Sequence, residues 1–146
     1  MQINRWLYTI LQCTWCIPQT LIGFILFILN IDKEHIIFHG SIVTKWDRND
    51  GISLGLFIFV PDGKRASKVM QESYKRMTIH EYGHTIQSLI LGPLYLPVVG
   101  IISISWSSLP VFIRIRKEKK LPYSYCFTEQ WANNLGEKIT GEKFIH

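Results

Sequence analysis

The residues best placed to do chemistry are His80-Glu81-Tyr82-Gly83-His84. Side chains four apart on a helix share one face, so His80 and His84 can offer two imidazole nitrogens to a single metal ion. Zn2+ suits such donors. Glu81 would stand beside the ion, where its carboxylate could act as general base toward the attacking water. Plainer readings compete. The histidines could lie on a helix surface, and Thr78 with Glu81 has the spacing of a capping box at a helix start. The cap leaves two histidines unexplained. A glycine inside a helix costs about 1 kcal/mol relative to alanine, so Gly83 predicts a close neighbour across the helix.

A catalytic zinc site normally takes three protein ligands. Glu129 is the best third donor, with Glu137 and Glu142 as rivals. It lies in a helical pattern in which Trp131 and Leu135 mark one side, Thr128 offers an N-cap and Gly136 a stop. Asn133 follows Glu129 by four residues, close enough to hydrogen-bond the second nitrogen of a ligating histidine. With these segments the chain resembles the gluzincin metallopeptidases, the thermolysin-like class, whose HExxH helix is followed by a helix bearing Glu-x-x-x-Asp or Glu-x-x-x-Ala. The resemblance implies zinc on His80, His84 and Glu129, Glu81 as base, and Asn133 in the place usually taken by aspartate. Asn133 is a departure, because an uncharged amide raises histidine basicity less than a carboxylate does. The chain is also similar to small bacterial membrane proteins that carry HEYGH, a following LGPLYL and a distal Glu-x-Trp-Ala. That likeness adds no substrate.

These residues need elements to hold them. With 146 residues the chain should form one core, but much of its apolar content sits in two uncharged stretches, leaving a soluble part that is small for independent stability. From Trp6 to Ile31 there is no Asp, Glu, Lys or Arg, a run long enough to enter a membrane. Pro18 divides it, leaving a kinked span or two short helices in the membrane surface. A second uncharged stretch follows the HExxH segment. One complete crossing there would put Glu129 on the wrong side of the membrane, and the interval is too short for two crossings at about 20 residues each. The expectation is therefore a re-entrant or interfacial hairpin broken at Gly92-Pro93, Pro97 and Gly100.

The net charge of +5 owes much to Arg114-Ile115-Arg116-Lys117-Glu118-Lys119-Lys120. Because this cluster directly follows an apolar stretch, it reads as a juxtamembrane anchor rather than a nucleic-acid site. Three cysteines form no closed disulfide framework, and Cys13 and Cys16 within an apolar run do not read as a redox pair. Between the apolar stretches, Ile36 to Val43 and Ile52 to Val60 are β-rich and separated by the turn signal Arg48-Asn49-Asp50-Gly51, predicting a β-hairpin or small sheet. By the resemblance to gluzincins, which place an edge strand over the zinc cleft, the second run would pair with an extended substrate; read alone it is an ordinary half-buried strand. His35 and His39 fall at the first strand and lack an intervening glutamate, so they are not expected to be ligands.

The reading is an α+β protein with a minimal zincin-like core: a small sheet, an HExxH helix and a distal Glu helix. Residues 1-31 would insert into a membrane, and 32-146 would form the zincin-like domain, including a hydrophobic hairpin at 89-113. The expected activity is Zn2+-dependent peptide-bond hydrolysis by a membrane-associated enzyme in a bacterial inner membrane. Its partners would be a peptide or protein substrate and membrane lipid, not nucleic acid, with a homo-oligomer left open. Tyr123 and Tyr125 are candidate oxyanion stabilisers. An intramembrane protease of the site-two type would need a distal aspartate, and no aspartate follows Asp62. The non-enzymatic alternative is a membrane scaffold or regulatory protein with a structural or vestigial zinc site, which a fourth ligand such as His39 or Cys126 would favour.

Overall fold

The computed structural model describes residues 3–143; the outermost ends of the two expected units, 1–2 and 144–146, lie outside the described residues. Helix α1 (Arg5–Thr14) starts at Asn4, whose side chain accepts from the Trp6 and Leu7 amides. Pro18 does not kink a continuous helix. It sits in the first turn of α2 (Ile17–Leu29), where a missing N–H costs little, and α2 leaves α1 at 98°.

The two β-rich runs each fold back on themselves. His39 and Gly40 both have positive φ, giving a tight turn between β1 (Glu34–Phe38) and β2 (Ser41–Trp46). Gly55, at φ +61°, does the same between β3 (Ile52–Leu54) and β4 (Phe57–Pro61). The sheet order is β1-β2-β4-β3, with β2 parallel to β4 and the other pairs antiparallel. The small sheet therefore stands, but Arg48–Gly51 connects β2 to the edge strand β3 rather than closing a hairpin between the runs.

Helix α3 (Lys68–Leu91) is continuous and starts at Ser67, whose Oγ accepts from the Met70 amide. This corrects the capping-box expectation: Thr78 lies mid-helix and donates to the Tyr74 carbonyl. The first half of α3 is largely solvated, while Thr78 to Ser88 are all buried. Tyr82 and Ile86 join Val43, Phe57, Ile58 and Phe59 in the core between helix and sheet.

Beyond Gly92 the chain passes through a 3-10 turn and a π-helical segment (Leu96–Gly100) into α4 (Ile101–Ser108) and α5 (Pro110–Glu118), bent by 66°. Among the described residues no single helix is long and apolar enough to cross a membrane. Helix α6 (Phe127–Thr140) returns against α3. Two expectations about its ends are corrected: Cys126, not Thr128, is its N-cap, and it runs through Gly136 to stop at left-handed Gly141. Gly136 serves a packing purpose instead.

Candidate metal centre

The site is made where α3 and α6 approach closely. An added Cβ at Gly83 would fall 1.9 Å from the Ala132 carbonyl oxygen, and one at Gly136 would fall 2.3 Å from that of Ile79. The two glycines thus let each backbone press on the other, which is the neighbour Gly83 predicted. This contact places Glu129 opposite the histidine face of α3.

His80, His84 and Glu129 are all buried, and each can direct one ligand atom into a group spanning no more than 4.8 Å. His80 Nε2 lies 3.1 Å and His84 Nε2 3.4 Å from the same oxygen, Glu129 Oε2. Two donors each about 2.05 Å from a tetrahedral ion would stand roughly 3.3 Å apart, so these spacings suit zinc.

The surrounding amides fix what the imidazoles can offer. Gln87 Nε2 donates to the Thr128 carbonyl at 2.8 Å, so its Oε1 must face His84 Nδ1, 2.6 Å away. An amide oxygen can only accept, so His84 carries a proton on Nδ1 and turns Nε2 toward Glu129. Asn133 Oδ1 stands at 2.6 Å from His80 Nδ1 and holds that ring in the same way. Glu129 Oε2 is buried and has no formed hydrogen bond. Two nitrogen lone pairs and a carboxylate oxygen meeting in a buried space require a positive charge among them. The group could hold a metal cation in that place.

Without a cation the charge falls to a proton. Burial disfavours a charged His80, but the close Glu129 carboxylate and the Glu81 charge win, raising its pKa to about 9. Burial likewise acts against ionised Glu129, yet the two imidazoles beside it hold its carboxyl well below the usual range. The same group that would bind a metal forms an ion pair when empty of one.

Glu81 is outside this triad. Its carboxylate lies beside the edge strand, where a Cβ on Gly51 would come 2.7 Å from Oε1. Burial raises its pKa, opposed by the nearby His80 and His84 charges, which makes it a stronger base than an exposed carboxylate. Ser53 Oγ is close to both Glu81 and Tyr95, without a formed hydrogen bond to either. Only β3 lies on this sheet edge, not the whole 52–60 run, and Gly23 of α2 packs against its Leu54 carbonyl.

The two candidate tyrosines part company. The Tyr123 ring is centred 6.4 Å from that of His80, whereas Tyr125 is exposed and stacks on Trp106. His39 packs against Phe38 and Tyr82, and Cys126 Sγ is 3.2 Å from Thr128 Oγ1, so neither joins the metal group. Neither Gln87 nor Tyr95 belongs to the sequence motifs that mark the triad. Its spacing of three from His84 was the available signal for Gln87; no local signal marked Tyr95, which arrives from the broken helical segment.

What the triad resembles is a zincin metal site. No protein-family model, curated protein or solved structure matches the chain. The likeness to gluzincins accordingly rests on the buried His-His-Glu group, the long helix carrying its histidines and the distal helix carrying its glutamate.

Proposed function

We propose that this protein is a membrane-attached, zinc-dependent metallopeptidase. The observation that carries the reading is the convergence of the His80 and His84 Nε2 atoms on the donor-free Oε2 of Glu129. Two imidazoles and one carboxylate favour Zn2+ among common divalent ions. A bound zinc ion supplies Lewis acidity that polarises a carbonyl and eases deprotonation of water.

The chain's own residues divide the remaining work. Gln87 and Asn133 orient the two rings through Nδ1. Glu81, a buried carboxylate of raised basicity, takes a proton from the attacking water and returns it to the leaving amine. Tyr123, whose ring is centred 6.4 Å from that of His80, would donate toward the developing oxyanion. The three donors found among the described residues would leave a tetrahedral ion one open position, which favours catalysis over a purely structural site.

Membrane attachment is supported by burial that is inside out. Gln12 and Gln19 are fully buried against α3, donating to the Thr85 carbonyl and to Ser88 Oγ and the Gly92 carbonyl, while Trp6, Ile10, Leu21 and Leu29 of the same helices are exposed. In water that arrangement exposes apolar area without recompense; against lipid it does not.

The test is Glu81→Gln assayed beside the intact chain on a quenched peptide library in detergent. Zinc content should be unchanged while turnover falls by about 10² to 10⁴. Equal turnover by the variant would remove Glu81 as base, and no turnover by zinc-loaded intact chain on any peptide would favour the scaffold alternative.

A further inference from the structure

We infer that the chain is anchored in one leaflet of an anionic phospholipid bilayer without crossing it. The inference builds on the membrane attachment proposed above and adds depth and lipid class. Its first support is geometric. At 1.5 Å per residue, α1 and α2 are roughly 15 and 20 Å long, and a 98° bend leaves their far ends about 23 Å apart. The second pair, Leu96–Ser108 with Pro110–Glu118 bent by 66°, reaches about 28 Å end to end. Its last turn is charged, which shortens the apolar part further. The first pair falls well short of a hydrocarbon core of about 30 Å, and the second reaches that depth only by drawing its charged last turn in.

The two apolar pieces also meet. Trp15, in the break between α1 and α2, packs so closely on Gly92 that a Cβ there would lie 2.2 Å from the indole ring. Gln19 of α2 donates to the carbonyl of the same glycine. α1–α2 and the segment after Gly92 therefore meet at one point, and both carry exposed apolar side chains, among them Trp15, Ile17, Leu94 and Ile101. A joined apolar surface that presents no single crossing helix suits entry from one side.

Charge names the lipid. Arg114, Lys117, Lys119 and Lys120 are exposed at the end of this surface, opposed locally only by Glu118. Basic residues beside an inserted apolar segment favour anionic headgroups, about fivefold in partitioning for each charge. Arg116 behaves differently: its guanidinium sits 5.3 Å from the Trp106 ring centre and 5.2 Å from that of Tyr123. It binds this strip to the ring beside His80, so the metal centre stays close to the headgroup level.

The full chain, diluted from detergent onto preformed sealed vesicles, tests this directly. It should float with vesicles containing phosphatidylglycerol, far less with pure phosphatidylcholine, and the quadruple variant R114Q/K117Q/K119Q/K120Q should partition at least about thirtyfold less onto the anionic vesicles. In a C13S/C126S background, single cysteines replacing Arg5, Asp32 or Lys119 should all react with an impermeant maleimide before detergent is added. Protection of either Arg5→Cys or Asp32→Cys would show a crossing and overturn the single-leaflet claim while leaving membrane attachment standing. Equal flotation on both lipids would overturn the anionic preference. A chain that stays off vesicles as a soluble dimer would remove membrane attachment altogether, and zinc content in the same samples would report separately on the metal site.

Discussion

Replacing Gly83 by alanine sets two physical effects against each other with opposite signs. On helix propensity alone, Gly→Ala in a helix interior should stabilise by about 1 kcal/mol. The contact with α6 says otherwise, because the new methyl would fall 1.9 Å from the Ala132 carbonyl oxygen. Real Cβ atoms keep about 3 Å or more from such an oxygen, so the helices must part by roughly 1 Å or distort, an overpacking cost of about 1 to 3 kcal/mol that outweighs the propensity gain. The displacement has a second consequence. Glu129 sits on α6 with Oε2 only 3.1 and 3.4 Å from the two histidine nitrogens, and metal bonds tolerate only about 0.2 Å of error. Gly83→Ala should therefore melt earlier in detergent and bind zinc at least about tenfold more weakly in a chelator competition. Gly100→Ala is the control, since its new Cβ would meet nothing nearer than the flexible Leu96 side chain at 3.5 Å, ordinary van der Waals contact; it should be neutral for both readouts. A Gly83→Ala protein that is more stable and holds zinc unchanged would refute the close helix contact and the site geometry built on it.

Other outcomes follow from the same geometry. In metal-free protein the raised His80 pKa, about 9 against an ordinary 6.5, contributes stability that is present below pH 6.5 and lost as pH rises through 9. Glu129 acts with the opposite sign: its lowered pKa gives stability present above the ordinary carboxylate range and lost in acid. Unfolding followed from pH 6 to 10 should show the alkaline loss without zinc and little of it with zinc; parallel curves would contradict the proton-for-metal exchange. Gln87→Leu leaves the His84 Nδ1 proton without its acceptor and should weaken zinc binding by about 10 to 100-fold, whereas Gln87→Glu keeps that acceptor but turns its other oxygen against the Thr128 carbonyl and should recover only part of the loss. Unchanged affinity in both would deny Gln87 its orienting task. Tyr123→Phe should lower turnover at constant zinc content, while Tyr125→Phe, whose ring stacks on Trp106, should leave both alone.

The site was more legible than the scaffold for a physical reason. His80 with His84, and Glu129 with Asn133, are each pairs at helical spacing, and a local repeat is written directly in sequence. Gly83 announced a close approach because a helix tolerates glycine only at a cost. The sheet was harder. Runs such as Ile52 to Val60 look like one strand by composition, and a single left-handed glycine at position 55 folds that run in two. Thr78 matched a cap by spacing, but Ser67 started the helix earlier and the polar turns before Thr78 remained helical. Tyr95 and Ser53 reach Glu81 from distant segments, and such a meeting depends on tertiary packing that no local pattern records.

The central claim is that His80, His84 and Glu129 together hold one divalent metal ion. Zinc titration of the stripped, purified chain in detergent tests it most directly, with Glu129→Ala carried alongside and helix content checked by circular dichroism. One equivalent bound by the intact chain, with affinity reduced at least about a hundredfold in the folded variant, is the predicted result. An intact chain that binds no zinc, or a variant that binds it equally well, would contradict the account.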